Sequence, residues 1–270
     1  MSSPQSTSPY PALVTRLRAA GCVFAEDEAR LLMDAARSAA ELTALVDQRL
    51  AGVPLEHVLG WVQFHGLRIA VAPGVFVPRH RTEFLVDQAV ERALGRAVSH
   101  GSAHTVVVDL CCGCGAVGAA LAAAIGTIDL YAVDIDPVAV RCARGNLPGG
   151  TVYEGDLYQP LPKALRGRVD ILVANAPYVP TDAVGLMPRE ARGHEPLAAL
   201  DGGPDGLDVA RRVVTSAADW LAPGGHVLIE TSERQAPRLV ETVAFRGLVP
   251  RLAISDNEDA WVVIGTKPQI

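Results

Sequence analysis

The sequence predicts an α/β fold, namely a doubly wound, seven-stranded, Rossmann-like sheet with a small N-terminal helical domain. From about residue 105 onward, strand and helix patterns alternate, which is typical of a mainly parallel sheet. The last two apolar runs, 249–254 and 260–266, are too close for a crossover connection and predict an antiparallel hairpin at the sheet edge. Before residue 60, apolar residues follow a helical spacing instead.

The first third of the chain divides into predicted segments of different character. Residues 1–9 are rich in Ser and Pro and predict a disordered tail. Residues 10–60 predict a helical domain, with Leu42, Leu45, Val46 and Leu50 on one apolar stripe. Residues 61–83 alternate like strands and predict a hairpin linker, which leaves 84–270 for the α/β domain.

Each element of the sheet has its own local signal. One predicted helix, 137–146, begins with proline at a first-turn position, where the missing N–H costs nothing. Another, 207–221, is followed by Pro223-Gly224-Gly225, which predicts its end. Besides the terminal pair, the predicted strands are 105–110, 129–134, 151–156, 169–175 and 226–230, and a third helix is predicted over 116–124.

Composition and charge exclude several classes of protein. Hydrophobic residues make up 49% of the chain, too many for a disordered protein, yet no stretch approaches the roughly 18 to 20 unbroken apolar residues of a membrane span. The start lacks the basic patch and apolar run of a signal peptide, so we expect a cytoplasmic protein without membrane contact. The formal net charge of −6 gives no electrostatic reason to expect direct nucleic-acid binding.

The five cysteines predict neither disulfides nor a metal site. Three of them crowd into four positions, Cys111 to Cys114, which is not a disulfide framework. The Cys111-x-x-Cys114 spacing is half of a zinc site, but no second Cys or His pair stands at ligand spacing. We expect small residues filling a tight loop.

A glycine-rich loop follows the first strand of the predicted sheet. It contains Gly113-x-Gly115-x-x-Gly118, and glycines allow a tight turn and a close approach of backbone to a ligand. Ligands of such sheets bind beyond the carboxyl ends of the strands. The pattern also matches a dinucleotide fingerprint, so a dehydrogenase is an alternative. Whether the loop binds a dinucleotide or another nucleoside cofactor, Asp134 at the end of the next strand is predicted to bind ribose hydroxyls.

Three features favour S-adenosylmethionine as the cofactor. Asp109 precedes the glycines, where a carboxylate can organise the loop and face the cationic end of this cofactor. Asp156 ends the third strand and can address the adenine. Asn175-Ala-Pro-Tyr178 ends the fourth strand, beside the place expected for the sulfonium methyl group. With the antiparallel ending, these features predict a class I methyltransferase sheet.

The segment 175–178 is suited to hold a planar amide or amine. An amide nitrogen is a poor nucleophile, so acceptors that bind its NH₂ group both orient it and stabilise the positive charge that develops on it. Asn175 offers a side-chain oxygen and Ala176 a main-chain carbonyl, whose direction Pro177 restricts. Tyr178 can stack on the planar group. We predict methyl transfer to nitrogen, with Asn175 and Tyr178 as catalytic residues and 175–178 as the substrate-binding segment.

These motifs resemble those of the HemK/PrmC family, the protein-(glutamine-N5) methyltransferases of peptide-chain release factors. Asn175-Ala-Pro-Tyr178 is similar to the Asn-Pro-Pro-Tyr of amino-methyltransferases acting on glutamine amides or adenine. Residues 54–60 with 64–66 look like the family's linker hairpin, and 77–83 resembles its Ile-Pro-Arg-Pro-Asp-Thr-Glu segment. The most specific match is 194–207, which is similar to its Tyr-Glu-Pro…Gly-Gly-x-Asp-Gly-Leu loop.

The resemblance implies a role in translation termination. The implied partner is a release factor, whose Gly-Gly-Gln loop enters the cleft while the N-terminal helices dock the rest, and we expect the enzyme to be a monomer. Asn175 is expected near both ligands. Together with the reasoning above, the expected contacts of S-adenosylmethionine are Asp109, Cys111, Cys112, Gly113, Cys114, Gly115, Asp134, Asp156, Leu157 and Asn175.

Four positions depart from the family pattern. Cys111 replaces the first glycine of the cofactor loop, and His80 with Arg81 replaces the usual Pro and acid. Ala176 replaces the first Pro of the acceptor motif, which keeps the carbonyl and loses about 0.4 to 1 kcal/mol of preorganisation. Together they predict a divergent paralogue. The alternatives are an adenine-N6 methyltransferase on DNA or RNA, a catalytically silent binding paralogue, and an enzyme acting on a small molecule.

Overall fold

The computed structural model describes residues 10–100 and 104–269 of the chain. The predicted tail, residues 1–9, lies outside the described residues. No described helix is long and apolar enough to cross a membrane.

Four helices form the N-terminal region, as the periodicity predicts. They are α1 (Tyr10–Ala19), α2 (Ala25–Ala35), α3 (Ala39–Leu50) and α4 (Leu55–Leu59). Ser38 is the N-cap of α3, because its side chain accepts a hydrogen bond from the Glu41 amide at 3.1 Å. The apolar faces of these helices meet in a core of their own, which includes Leu17, Leu32 and Val46.

A two-stranded hairpin follows the helices. Strands β1 (Trp61–Phe64) and β2 (Leu67–Ala70) pair antiparallel around the two-residue turn His65-Gly66. Phe64 and Ile69 are buried in the same apolar cluster as residues of the large sheet. The hairpin is therefore packed onto the α/β part of the molecule.

The large sheet has seven strands, as predicted. In chain order they are β3 (Thr105–Leu110), β4 (Ile128–Asp134), β5 (Thr151–Glu154), β6 (Val169–Ala174), β7 (Leu221–Thr231), β8 (Val249–Ser255) and β9 (Ala260–Thr266). Their spatial order is β5-β4-β3-β6-β7-β9-β8. The first five strands are mutually parallel, whereas β9 runs antiparallel to both β7 and β8. This confirms the predicted fold class, including its antiparallel ending.

Helices cover both faces of the sheet. The three predicted helices are present as α6 (Ala116–Ile125), α7 (Pro137–Asn146) and α9 (Asp208–Trp220). Three others were not predicted: α5 (Glu83–His100), α8 (Arg189–His194) and α10 (Ala236–Phe245). One boundary prediction is wrong, because Pro223-Gly224-Gly225 lies inside β7 rather than between helix and strand. A register irregularity against β6 accommodates it.

The strand order places the functional site. The chain runs outward from β3 to β5 and then returns to the other side of β3 with β6. Because β3 and β6 are neighbours, with Leu110 opposite Ala174, the residues that follow them diverge from one edge of the sheet. Such a switch point opens a crevice for ligands. The cofactor loop and the segment 175–178 both begin there.

Candidate active site

One large cavity lies at the carboxyl ends of the parallel strands. It encloses about 1420 Å³ of empty space, counting the solvent at its mouth. Among the predicted site residues, Gly115 does not line it. Those that do are Asp109, Cys111, Cys112, Gly113, Cys114, Asp134, Asp156, Leu157, Asn175, Ala176, Pro177 and Tyr178. The fold thus brings the predicted cofactor loop and the predicted acceptor segment to one space.

The cofactor loop is a tight turn built from left-handed residues. Cys111, Gly113 and Gly115 have φ angles of 57°, 56° and 81°. Cys111 therefore adopts the conformation that favours glycine, in the position where the family carries one. Gly115 begins α6, and a Cβ atom there would lie 2.9 Å from Leu147 Cδ1. Its role is close packing of the turn rather than contact with the cavity.

Two carboxyl groups, one buried and one partly buried, hold this loop in place. Asp109 is 2% exposed, and its Oδ2 accepts a hydrogen bond from the Gly118 amide at 3.0 Å. Burial raises the pKa of Asp109 to about 7. Asp134 accepts from the amides of Gly113, at 2.8 Å, and Asp136, at 2.9 Å. Burial raises the pKa of Asp134 as well. A cationic ligand in the cavity would stabilise the ionised form of both groups.

The far wall of the cavity contains Asp156 and Leu157. Leu157 is buried, with a φ angle of 49°, so it is a second non-glycine residue in the left-handed region beside the cavity. The Asp156 carboxylate forms an ion pair with Arg212 of α9, and Arg212 also lines the cavity. This pair links the wall at the end of β5 to the opposite helix.

The acceptor segment is held by residues just before α5. Asn175 Nδ2 donates to Thr82 Oγ1 at 3.2 Å, which leaves the amide oxygen of Asn175 to accept a hydrogen bond. The Tyr178 hydroxyl accepts from Arg81, whose guanidinium lies 5.6 Å from the centre of the tyrosine ring. Burial raises the pKa of Tyr178. Ala176 is buried between them.

The glycine-rich loop 201–206 packs against the backbone of this segment. A Cβ atom on Gly202 would lie 2.5 Å from the Pro177 carbonyl oxygen, and one on Gly206 would lie 2.2 Å from the Tyr178 carbonyl oxygen. Gln235 Nε2 donates to that same Tyr178 oxygen at 2.7 Å. The close packing of this loop therefore fixes the backbone conformation of the acceptor segment.

Two arginines at the cavity are paired with buried carboxylates. Arg79 Nη2 lies 2.6 Å from Glu195 Oε1, and Arg81 Nε lies 3.4 Å from Glu230 Oε1. Both arginines line the cavity. His80, the other departure from the family pattern near here, has a side chain 86% exposed and contacts Glu83 instead. Of the two departures in this segment, His80 and Arg81, only Arg81 therefore reaches the site.

Several residues of the site were not predicted. Thr82 and Arg81 lie inside the family-like segment 77–83, so that resemblance was the signal that could have found them. Gln235 and Glu230 lie beyond the recognised motifs and had no such signal. Within residues 10–100 and 104–269, no group of three or more His, Cys, Asp and Glu side chains is placed to hold a metal ion.

Comparisons with known proteins agree with this geometry. Residues 67–187 match the family model described as Methyltransferase small domain. The chain is 35% identical over 225 residues to the release factor glutamine methyltransferase of Geobacter sulfurreducens, covering 82% of this chain and 75% of that protein. It is 39% identical over 207 residues to the one of Mycolicibacterium smegmatis, covering 75% and 70%.

A solved structure supports the fold. The 16S rRNA N2 G1207 methyltransferase of T. Thermophilus, in complex with AdoMet and guanosine, superposes with a TM-score of 0.53 at 21% identity, covering 77% of this chain and 49% of that one. At this identity the likeness shows the fold alone. The cavity, the sheet and the sequence relatives together show an S-adenosylmethionine-dependent methyltransferase that belongs to the release factor glutamine methyltransferase family.

Proposed function

We propose that this protein methylates the side-chain amide nitrogen, N5, of the glutamine in the Gly-Gly-Gln loop of a peptide-chain release factor. The observation that carries the proposal is the shared cavity, in which the segment 175–178 faces the cofactor loop. The names of the relatives support the choice of partner.

The cavity residues fit S-adenosylmethionine, which supplies an electrophilic methyl group when bound. We propose that Asp134 binds its ribose, that Asp109 lies towards its cationic end, and that Asp156 and Leu157 border its adenine. The raised pKa values of Asp109 and Asp134 support this assignment, because a positively charged ligand would offset the cost of ionising these two carboxyl groups away from water. The backbone of the loop 111–115 would follow the cofactor closely.

We propose that the acceptor segment activates the amide by orientation and charge. Asn175 Oδ1 and the Ala176 carbonyl accept hydrogen bonds from the glutamine NH₂, which aims the nitrogen at the methyl group. As the nitrogen bonds to the methyl carbon and the carbon–sulfur bond breaks, positive charge would develop on the nitrogen. The same two oxygens would stabilise that charge until an N–H proton is lost to solvent. The Tyr178 ring, held by Arg81, stacks on the planar amide.

The N-terminal helices are proposed to dock the release factor. Arg49 of α3 is 8% exposed and lies 2.6 Å from both Glu28 of α2 and Glu190 of α8. Glu190 is close in sequence to Met187, which lines the cavity. This partly buried link joins the helices to the cleft, so a partner held by the helices could present its loop to the cavity.

The proposed organisation of the protein follows from this role. We propose a helical docking domain over 10–60, a hairpin linker over 61–83 and a catalytic domain over 84–270. Separate apolar cores in the helices and around the sheet support the first division. We place the reaction in the cytoplasm, on a monomer without direct nucleic-acid contact, and the net charge of −6 supports the last point.

The test is transfer of a labelled methyl group from S-adenosylmethionine to a purified release factor. A matched factor with Gly-Gly-Ala in place of Gly-Gly-Gln is the control. We expect label on the first and none on the second. Label on neither, with cofactor binding intact, would mean that the acceptor is wrong, and label on adenine in oligonucleotides would identify the other acceptor instead.

A further inference from the structure

Three polar side chains, two of them buried, lie together at the start of the acceptor segment. Asn175 follows β6, and Glu230 is near the end of the neighbouring strand β7, where Ala174 pairs with Ile229. Thr82, just before α5, lies next to Asn175, and its hydroxyl oxygen is 3.2 Å from Asn175 Nδ2. Thr82 is 1% exposed and Glu230 3% exposed. Burying a carboxylate is costly, so its position calls for a reason.

The surroundings of Glu230 favour its ionised form only in part. Burial raises its pKa, whereas the Thr82 hydroxyl and the guanidinium groups of Arg81 and Arg79 oppose that rise. The Arg81 Nε atom, at 3.4 Å, is the nearest cation. Neither carboxylate oxygen makes a hydrogen bond of standard geometry within the described part of the chain. Glu230 is therefore a buried carboxyl group that interacts with the Thr82 hydroxyl and whose two oxygens have room for a further hydrogen bond.

When Glu230 is ionised, the chemistry of these three groups gives their hydrogen bonds one direction. An ionised carboxylate can only accept, and a threonine hydroxyl has a single proton to donate. When that proton points to Glu230, the Thr82 oxygen is left to accept, and Asn175 must offer it the NH₂ end of its amide. The oxygen end of Asn175 then faces the cavity.

We propose that Thr82 and Glu230 are positioning residues that determine which end of the Asn175 amide meets the acceptor nitrogen. The inference rests on the proposed function, in which Asn175 accepts a hydrogen bond from the substrate NH₂. If the Asn175 amide were reversed, its NH₂ group would face the NH₂ group of the substrate glutamine, and the two groups would repel each other. Arg81, which replaces the family's usual acid, balances the charge that this arrangement buries.

The test compares turnover and cofactor affinity in four variants. Thr82→Val keeps the shape and removes the hydroxyl, whereas Thr82→Ser keeps the hydroxyl. Glu230→Gln removes the charge and can donate to Thr82. Thr231→Val is the matched control, because Thr231 is also buried, is adjacent on β7, and has a hydroxyl oxygen without a partner among the described residues.

We expect kcat to fall about tenfold to a hundredfold in Thr82→Val and Glu230→Gln, since Asn175 is no longer oriented and its hydrogen bond to the reacting nitrogen is lost. The dissociation constant of S-adenosylmethionine should stay unchanged in both. Thr82→Ser should recover kcat to within about threefold of the wild type, since the hydrogen bond is restored. Thr231→Val should match the wild type.

A double-mutant cycle tests whether Thr82 acts through Asn175. In an Asn175→Ala background, Thr82→Val should cause no further loss of kcat, because the amide that it orients is gone. Additive losses would overturn the proposal, and so would a serine variant as slow as the valine variant. Thermal unfolding of each variant separates misfolding from misorientation. A wild-type protein inactive on every glutamine substrate would instead count against the proposed function itself.

Discussion

Two residues beside the cavity adopt the left-handed backbone conformation without being glycine. Cys111 has a φ angle of 57° and Leu157 one of 49°. This conformation costs an L-residue about 1 to 2 kcal/mol. Both follow strand ends, β3 and β5, where the chain must turn at the edge of the cavity. The protein therefore stores backbone strain at its ligand site, as functional sites commonly do.

Replacing Cys111 by glycine should stabilise the protein. We expect Cys111→Gly to raise the free energy of unfolding by about 0.5 kcal/mol, since relief of strain is partly offset by the greater freedom of glycine in the unfolded chain. Urea denaturation without cofactor measures this. The control is Cys112→Gly, at a buried neighbour without positive φ, which should be destabilised. Equal losses at both positions would contradict the strain argument.

Removing the Asn175 side chain should abolish most turnover. We expect Asn175→Ala to lower kcat by about 10² to 10³, the cost of losing one preorganised group that stabilises transition-state charge. Steady-state methyl transfer to the release factor measures it. Asn257→Ala, an exposed asparagine in the turn between β8 and β9, should keep the wild-type rate. Near-normal turnover in Asn175→Ala would rule out the role assigned to this amide.

Among the larger elements, the loop 201–206 decides the shape of the acceptor segment. Val179 forms a parallel bridge with Asp201, its amide donates to the Leu200 carbonyl at 3.0 Å, and its carbonyl accepts from Gly202 at 2.9 Å. Gln235, at the start of α10, ties the loop to the segment by bonding the carbonyls of both Tyr178 and Asp205. The geometry of the proposed acceptor segment thus depends on a loop that need not touch the substrate.

Filling the contact between these two segments should damage both stability and activity. We expect Gly202→Ala to lower the free energy of unfolding by about 2 kcal/mol, the usual cost of overpacking, because a Cβ has no space beside the Pro177 carbonyl. Methyl transfer should fall too. Gly185→Ala, where a Cβ meets nothing within 4 Å, is the control. Equal stability of the two variants would show that the loop moves to make room for the Cβ atom, which would contradict the prediction.

For the molecule as a whole, the buried Asp109 and the partly buried His226 respond to pH in opposite directions. The pKa of Asp109 rises from 3.8 to about 7, so the stability it contributes is present at low pH and is lost as pH rises through that range. The pKa of His226 falls from 6.5 to about 4, because burial and the guanidinium groups of Arg92 and Arg96 disfavour its charged form. Its contribution is present above pH 6.5 and is lost on acidification.

These opposing effects can be separated by substitution. Relative to the wild type, Asp109→Asn should become progressively more stable as pH rises from about 4 to about 7. His226→Asn should become progressively less stable as pH rises from about 4 to 6.5. Urea unfolding of the cofactor-free proteins across this range measures both. Difference curves that are flat with pH would show that these groups keep ordinary pKa values in the fold.

Local patterns in the chain were sufficient to predict the sheet, three of the helices beside it and half of the site. Strand and helix alternation, the proline that begins α7 and the short link between β8 and β9 all act within a few residues, and each predicted element is present. The cofactor loop and the segment 175–178 are equally local, since each follows a strand of its own. Their meeting in one cavity follows from parallel strands ending at one edge.

Long-range packing selected the remaining residues of the site. Thr82 is 93 positions from Asn175, Arg81 is 97 positions from Tyr178, and Gln235 is 57 positions from the carbonyl that it binds. Periodicity contains no information over such distances, because it reports only which face of its own element a residue occupies. Whether the Thr82 hydroxyl lies beside the proposed catalytic amide of Asn175 depends on which strands become neighbours, and only the assembly of the sheet decides that.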